Sequence, residues 1–195
     1  MRLLAEYLKG CGYDVRTTRE PGGTPIGDQV RRILLDSANI DMQPTSEFLL
    51  FSAARAQHVR QVILPHLNQG GVVLCDRFAD SSLAYQGYGH QLELSVLKVI
   101  TAFATDNLVP DLTLYLDVPV AVGLKRKAGG SGDSWNRMEQ QTLAYHERVR
   151  SGYLQMAGSE PNRWVVIDAS HSIERVQAQV RDSVLSRLER TQGEK

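Results

Sequence analysis

The chain has 195 residues, a length that suits one domain with a hydrophobic core. Lysine plus arginine and aspartate plus glutamate each total 22, and this balance gives no indication of a nucleic acid or an anionic membrane as a partner. No apolar stretch approaches the ~20 residues that cross a bilayer, the start lacks a signal peptide's apolar core, and two cysteines suggest no disulfide framework, so we expect a cytoplasmic protein.

Helix-like and strand-like segments alternate along the chain. Residues 2–10 favour a helix because Leu3, Leu4, Tyr7 and Leu8 share one face. In chain order we then predict a strand at 14–18, helices at 26–35 and 45–69, a strand at 71–75, helices to about 107, a strand at 112–117, a helix after Pro119, a loop at 128–135, a helix at 137–157, a strand at 164–168 and a helix at about 172–190.

Strands separated by helices predict parallel βαβ units and a three-layer α/β fold. The runs at 71–75 and 164–168 are apolar without alternation, which is typical of strands covered on both faces. In such an open parallel sheet, ligands bind beyond the carboxyl ends of the strands. The residues that follow each strand are therefore the first candidates for a site.

Charged residues follow the first two predicted strands. Arg19 and Glu20 follow the first and lead into a glycine-rich turn, and Asp76 and Arg77 follow the second. One such pair alone is more often a structural ion pair. Two guanidinium groups at neighbouring strand ends repel each other unless an anion lies between them, and their planar donors match phosphate oxygens. The pattern predicts a phosphate site.

A second group of residues suits a nucleotide base. Phe51 and Arg55 are four apart on the predicted helix 45–69, so a ring and a forked donor share one face. They could stack on a base and donate to its carbonyl, or be a core phenylalanine beside an arginine whose stem covers apolar surface. The segment 80–87 is rich in hydroxyl and amide groups that could line the same pocket or cap a helix.

Basic residues flank the glycine-rich segment near residue 130. Lys125, Arg126 and Lys127 precede it and Arg137 follows it. This arrangement is typical of a lid that closes over a nucleotide and brings positive charge to a moving phosphoryl group. A surface loop with solvated charges is the alternative. We place the lid region at about 125–139.

Together these motifs resemble the thymidylate kinase family. The matching stretches are 18–24, the pair Phe51 and Arg55, 76–78, 81–87, 110–116 and 136–139, in the family's order and spacing. The resemblance covers essentially the whole chain as a single domain, 1–195. It implies a three-layer α/β/α P-loop kinase fold with a parallel sheet. It also implies transfer of the ATP γ-phosphoryl group to dTMP, giving dTDP, with Mg²⁺, in a homodimer that packs through helices. The predicted helices 45–69 and 92–107 carry enough apolar residues to form such an interface.

The resemblance also implies a role for individual residues at the dTMP site. Phe51 would stack on thymine, and Arg55 would donate to a thymine carbonyl. The other implied contacts are Ser81, Ser82 and Gln86 around the base, Arg31 and Arg77 on the phosphate, and Arg19 and Glu20 around the phosphate and the sugar.

Two features depart from the family. Its members begin with a strand and a Walker A loop, G-x-x-x-x-G-K-[ST], which holds the ATP phosphates and magnesium, and this sequence contains no such loop. We therefore expect the chain to be incomplete at its N-terminus and to lack the first, central strand. A catalytically inactive dTMP-binding fragment or scaffold is the alternative, and another nucleoside-monophosphate kinase is a further one.

The second departure lies in the lid. Relatives carry a catalytic arginine in the P-loop or the lid, but residues 129–132 include no base. Among the remaining candidates we favour Arg137, then Arg126, beside Arg77 at the strand end. Asp76 is the expected magnesium ligand, directly or through water.

Overall fold

Parallel strand pairs make up the sheet structure of the chain, whose computed structural model describes residues 1–129 and 136–193. Strand β1 (Val15–Arg19) pairs with β2 (Val72–Asp76), and β3 (Thr113–Asp117) pairs with β4 (Trp164–Asp168), both in parallel. Within the described ranges no backbone ladder joins one pair to the other. The four predicted strands are confirmed to within one residue at each end.

Helices fill the connections between these strands. The helices are α1 (Arg2–Gly10), α2 (Pro25–Leu35), α3 (Pro44–His58), α4 (Leu64–Leu67), α5 (Ala79–Ser82), α6 (Leu94–Thr105), α7 (Val120–Ala128), α8 (Leu143–Ser159) and α9 (Ile173–Gly193). A 3₁₀ turn, Ser37–Asn39, follows α2, and π-helical segments span Val59–Ile63 and Leu83–Gly89. The predicted helix 45–69 is observed as α3, the first π-helical segment and α4 in continuous succession.

A capping interaction fixes where α2 begins. The hydroxyl oxygen of Thr24 accepts a hydrogen bond from the backbone N–H of Gly27 at 2.9 Å, and Pro25 occupies the first turn, where its missing N–H has no helical partner. This start directs α2 away from the turn that follows β1. Arg31, two turns along α2, therefore stays close to that turn.

The start of α8 corrects a prediction. The helix begins at Leu143 rather than at 137, because the hydroxyl of Thr142 caps it by accepting from the N–H of Tyr145 at 3.2 Å. Upstream, the carboxylate of Glu139 accepts from the N–H of Asn136 at 3.0 Å and closes a separate tight turn. Arg137 therefore lies in a turn and not on a helix.

The main hydrophobic core lies between α1, α9 and one face of the strands. Its buried members are joined by half-buried Val72 and Leu74 of β2 and Leu114 of β3, so both strand pairs contribute to one core. Because β-strand side chains alternate between faces, Ile167 of β4 points into this core while Trp164 points to the other side. The buried members are Leu4, Ala5, Leu8, Val15, Ile167, Val180 and Val184.

A second core lies on the Trp164 side of β4, between α8 and the π-helical segment Leu83–Gly89. Tyr145 and Val149 of α8 pack there with Ala84, and Tyr115 of β3 stacks on Tyr153 at 4.7 Å between ring centroids. This contact fixes the segment that carries Gln86 and follows Ser81 and Ser82.

In the described ranges, no helix combines the length and apolar character needed to span a membrane.

The close contact between α8 and the π-helical segment predicts a strong effect of one methyl group. A Cβ on Gly152 would lie 2.5 Å from the ring of Tyr88, so Gly152→Ala should lower the free energy of unfolding by about 1–3 kcal/mol. Gly158→Ala, on the same helix with open space around the new methyl, is the matched control and should be neutral or stabilising by up to ~1 kcal/mol. Urea unfolding of both variants measures this, and equal effects would contradict the contact.

Candidate active site

The carboxyl ends of β1 and β2 bring together the residues predicted to bind phosphate. Arg19 lies opposite Asp76 in the strand register, and the N–H of Glu20 donates to the carbonyl of Asp76 at 2.9 Å. Arg19, Asp76 and Arg77 are exposed. Two arginines and one aspartate therefore line the same edge, as the sequence predicted.

Arg77 has a distinctive backbone and side-chain environment. Its φ of 66° lies in the left-handed region, which turns the chain sharply at the end of β2. Its guanidinium lies 5.0 Å from the centroid of the Tyr85 ring, within cation–π range. The neighbouring Tyr85 is the main cause of a pKa of Arg77 raised above the ordinary arginine value, so this side chain remains charged.

The turn after β1 is held from the side by α2. Nη1 of Arg31 donates to the carbonyl of Pro21 at 2.9 Å, and the carboxylate of Asp28 accepts from the N–H of Gly23 at 3.2 Å. A cis peptide bond joins Glu20 to Pro21. Arg31 thus reaches the same turn as Arg19, and the structure brings these two predicted phosphate ligands to one region.

A buried polar network, the Glu20 cluster (Thr18, Glu20, Arg55, His58 and Ser82), links this turn to α3. Nε of Arg55 donates to Oε2 of Glu20 at 2.8 Å, and Nη2 donates to the hydroxyl of Ser82 at 2.9 Å. Arg55 and Glu20 are 1% and 5% exposed. Nη1 of Arg55 is buried and has no hydrogen-bond partner among the described residues. One strong donor of the cluster is therefore left for an external acceptor.

Phe51 lies one helical turn before Arg55 on α3, and it is half-buried. The predicted placement of a ring and a guanidinium on one helix face is thus observed, with the arginine almost fully buried. The guanidinium of Arg55 also lies 5.9 Å from the centroid of the Phe78 ring. Aromatic surface therefore adjoins the donor from two elements.

The hydroxyl and amide groups of the 80–87 segment have protein partners. The hydroxyl of Ser81 accepts from the phenol of Tyr153 at 2.9 Å, and the amide nitrogen of Gln86 donates to Oε1 of Glu47 at 2.6 Å. Ser82 and Gln86 are buried, whereas Ser81 is half-buried. The structure therefore shows how these side chains are oriented, and their contacts to a base stay predictions.

A second buried network, the Glu47 cluster (Glu47, Gln86, His90 and Arg137), includes an arginine of the lid region. Nη2 of Arg137 pairs with Oε2 of Glu47, and its Nε donates to the carbonyl of Leu34 at 3.0 Å. Glu47 and Arg137 are 0% and 1% exposed. Arg137, predicted as a catalytic lid base, is in this structure a buried arginine that ties the turn before α8 to α2 and α3.

The environment of Glu47 keeps it ionised. Burial by itself favours the neutral acid, but His90, Gln86 and the positive charge of Arg137 outweigh it and hold the pKa of Glu47 below its usual range. His90 Nε2 lies 3.4 Å from Oε1 of Glu47. A charged carboxylate is therefore maintained at the centre of this cluster.

Arg126 remains the accessible basic candidate of the lid region. It is exposed at the end of α7, and Nη1 donates to the carbonyl of Ala169, directly after β4, at 2.8 Å. Nζ of Lys127 lies 3.9 Å from Oε1 of Glu139, across the two ends of the lid region. The centre of that region, residues 130–135, lies outside the described residues, and the prediction for 129–132 falls largely there.

The geometry offers only partial support for a metal ligand at Asp76. In the described part of the chain, no group of three or more histidine, cysteine, aspartate or glutamate side chains is arranged to hold a metal ion. Asp76 is a single exposed carboxylate at a strand end. Mg²⁺ often uses one or two carboxylates together with substrate phosphates and water, so Asp76 fits that role only beside bound phosphates.

Sequence reasoning missed Glu47 and His58. Glu47, Phe51 and Arg55 follow one another at intervals of four residues on α3, so they share one helix face. An acid one turn before the predicted base-binding pair was a signal that could have been used. His58 had no comparable signal, because its partners come from β1 and the following turn.

Known proteins resemble this chain over most of its length. A family model described as thymidylate kinase matches residues 1–180. The thymidylate kinase of Roseiflexus sp. (strain RS-1) is 52% identical over 189 residues, which cover 92% of this chain and 84% of that protein. Those of Herpetosiphon aurantiacus and Geobacter sulfurreducens are 50% and 48% identical, over 86% and 95% of this chain and 81% and 89% of the respective proteins.

The Glu47 cluster yields a prediction about stability. Glu47→Gln or Arg137→Met leaves one buried charge without its partner, and each should lower the free energy of unfolding by about 3–5 kcal/mol. The double variant should lose less than the sum of the two, because both charges are then removed together. Urea unfolding of the four proteins measures the coupling, and strictly additive losses would contradict a buried pair.

Two further measurements control this prediction. Arg2→Gln, which removes an exposed ion pair with Glu6, should leave the stability nearly unchanged. Since the pKa of Glu47 is lowered in the folded protein, its contribution is present at neutral pH and is lost as the pH falls through that lowered pKa. Glu47→Gln should therefore flatten the decrease in stability between about pH 5 and pH 2.

Proposed function

The chain belongs to the thymidylate kinase family, and we propose that it transfers the γ-phosphoryl group of ATP to dTMP, giving dTDP, with Mg²⁺. The observation that carries the dTMP half of this proposal is the buried Nη1 of Arg55, a donor without a partner among the described residues. Membership of a kinase family supports the ATP half. The proposed partners are dTMP and ATP, and we propose neither a nucleic acid nor a membrane as a partner. The proposed location is the cytoplasm.

The proposed base site uses Arg55 and Phe51. An unmade buried hydrogen bond costs ~1–3 kcal/mol, so a carbonyl that accepts from Nη1 gains that much relative to a group that cannot accept. Because Glu20 and Ser82 already hold the other two nitrogens of the guanidinium, Nη1 has a fixed direction. The half-buried ring of Phe51 supplies a face for stacking beside this donor. A base with an exocyclic carbonyl, such as thymine, matches this pair.

The proposed phosphate site uses the arginines at the ends of β1 and β2. Arg19 and Arg77 are exposed at neighbouring strand ends, and Arg31 reaches the intervening turn from α2. Arg19 forms no ion pair with a described residue, so its charge is available to a phosphate monoester. Several guanidinium groups around one phosphate compensate its charge and fix its oxygens, and this orientation is most of what phosphoryl transfer requires of the protein.

On the ATP side, Asp76 and Arg126 are the proposed participants. Asp76 would hold Mg²⁺ directly or through water, and the ion would supply positive charge that neutralises the charge developing on the phosphates. Arg126, exposed near the carboxyl end of β4, is the proposed base that approaches the transferred group. Arg137 would instead act as a buried support.

A second candidate function is a dTMP-binding protein without kinase activity. The sequence contains no G-x-x-x-x-G-K-[ST] motif, whose backbone and lysine normally hold the ATP phosphates. The two candidates share the dTMP site. They differ only in whether bound dTMP is phosphorylated.

We also propose that the two strand pairs belong to one parallel sheet, the middle layer of a three-layer α/β/α fold of the P-loop kinase type. Half-buried side chains of β2 and β3 pack on the same buried residues of α1 and α9, which supports a common layer. The second core, between α8 and β4, supports a helical layer on the other side.

An exposed apolar stripe on α6 supports the proposed homodimer. Val96, Val99 and Phe103 recur at helical spacing and are 51%, 71% and 87% exposed. A contiguous apolar surface of this kind is typical of an interface between proteins. The sequence also indicates this helix as a candidate for the interface.

The proposed function is tested by binding and turnover together. Calorimetry should detect dTMP binding, and Phe51→Leu should raise the Kd about tenfold through loss of stacking. dCMP carries an amino group where dTMP has a carbonyl, so it should bind at least about tenfold more weakly, because two donors then face each other. Measurable dTMP-dependent formation of ADP from ATP and Mg²⁺ supports the kinase, whereas dTMP binding without turnover favours the second candidate. Absence of dTMP binding would contradict both.

The homodimer proposal is tested by placing a charged side chain on the apolar stripe of α6. Phe103→Glu would place a carboxylate in an apolar interface, so it should convert a dimer into a monomer in sedimentation velocity experiments. Val122→Glu, which places the same charge at an exposed position of α7, is the matched control and should leave the dimer intact. A wild-type protein that sediments as a monomer at high concentration would refute the proposal.

A further inference from the structure

A fully buried histidine lies behind the turn that presents Arg19 and Glu20. His58 is 0% exposed at the last position of α3. Its Nε2 lies 2.7 Å from the hydroxyl of Thr18, and its Nδ1 lies 3.4 Å from Oε1 of Glu20. The imidazole therefore contacts the last part of β1 and the first residue after it.

The partners of His58 determine which ring nitrogen carries the proton. The Glu20 carboxylate can only accept, and its Oε2 already accepts from Nε of Arg55 at 2.8 Å. Nδ1 of His58 is therefore the donor to Oε1, and in the neutral ring Nε2 accepts from the Thr18 hydroxyl. Each oxygen of Glu20 then has its own donor, and the carboxylate cannot rotate without breaking one of the two contacts.

The ring also fills the space beneath the turn. A Cβ on Gly23, whose φ is +80°, would lie 2.8 Å both from His58 ring atoms and from the Thr18 hydroxyl. Glycine is thus required for the conformation and for the close approach. The turn that carries Glu20 and the imidazole consequently behave as one unit.

We infer that His58 is a positioning residue for dTMP recognition. It holds Glu20, Glu20 holds Nε of Arg55, and this fixes the direction in which the free Nη1 of Arg55 can meet a base carbonyl. The inference rests on the proposed dTMP site and assigns a role to a residue that does not itself contact substrate. Its effect therefore falls on dTMP affinity and leaves the phosphoryl-transfer step nearly unchanged.

Two substitutions separate positioning from simple filling of space. The amide nitrogen of asparagine is as many bonds from Cβ as Nδ1, so His58→Asn can keep the donor to Glu20. The amide oxygen of glutamine matches Nε2 in the same way, so His58→Gln can keep the acceptor for Thr18 and loses the donor to Glu20. Glutamine is closer to histidine in volume than asparagine. Side-chain packing alone predicts that Gln is tolerated better, and positioning predicts the reverse order.

The experiment measures dTMP binding by calorimetry and turnover by ADP formation for both variants. We expect His58→Asn to keep the Kd for dTMP within about threefold of the wild type, and His58→Gln to raise it about tenfold. In both, kcat at saturating dTMP should change by less than about threefold. His66→Gln is the matched control, because His66 contacts the Asp14 carbonyl at the opposite end of β1, and it should leave the Kd unchanged.

A readout without substrate separates failure of this inference from failure of the proposed function. The Nε–H proton of Arg55, hydrogen-bonded to Glu20, is observed directly by NMR, and its resonance should be kept in His58→Asn and shifted in His58→Gln. If the wild type binds no dTMP, the proposed function fails while this resonance still tests the positioning of Arg55. Equal Kd values for the two variants, or an unshifted resonance in both, would overturn the inference. If His58→Gln does not fold, Thr18→Val takes its place, because valine removes the hydroxyl that contacts Nε2 of His58. We then expect Thr18→Val to shift the Arg55 Nε–H resonance. An unshifted resonance in Thr18→Val would overturn the inference.

Discussion

Two opposite charges lie out of contact with water where the carboxylate of Glu20 meets the guanidinium of Arg55. Removing such groups from water is expensive, and attraction alone compensates only when the remaining hydrogen-bonding atoms also find partners. Here Glu20 accepts on both oxygens and Arg55 donates from two of its nitrogens. The pair joins the end of β1, helix α3 and Ser82 at the end of α5, so the edge of the sheet has one defined geometry. Among the described residues, Nη1 of Arg55 is the donor of this pair that is left over.

Helix α3 carries much of this arrangement on one side. Glu47, Phe51 and Arg55 follow one another at four-residue intervals, and His58 completes the helix. The acid connects to the turn before α8, the ring belongs to the proposed base site, and the arginine and histidine connect to β1 and the residue after it. One rigid element therefore relates the base site to both the phosphate edge and the lid region, and relative positions on a helix are more precise than those on separate loops.

The sequence predicted the strand ends well because the rule involved is local. Arg19 and Asp76 each follow a strand directly, and parallel strands end at the same edge, so no knowledge of distant contacts was needed. The burial of Arg137 could not be predicted in the same way. A basic residue beside a glycine-rich segment suits a lid equally well whether it is exposed or buried, and its burial depends on Glu47, 90 residues away. The start of α8 was wrong for a related reason, since the turn at 136–139 is closed by side chains that also fit a helix.

The buried pair of Glu47 and Arg137 has a consequence for how this protein can diverge over evolutionary time. A substitution at either position alone leaves a buried charge without its partner, so single substitutions are strongly disfavoured. Neutral side chains of similar volume at both positions are a tolerable end point, but the path to them passes through an unstable intermediate. Descendants of this chain are therefore expected to keep both residues or to replace both, and the two positions should be inherited as one unit.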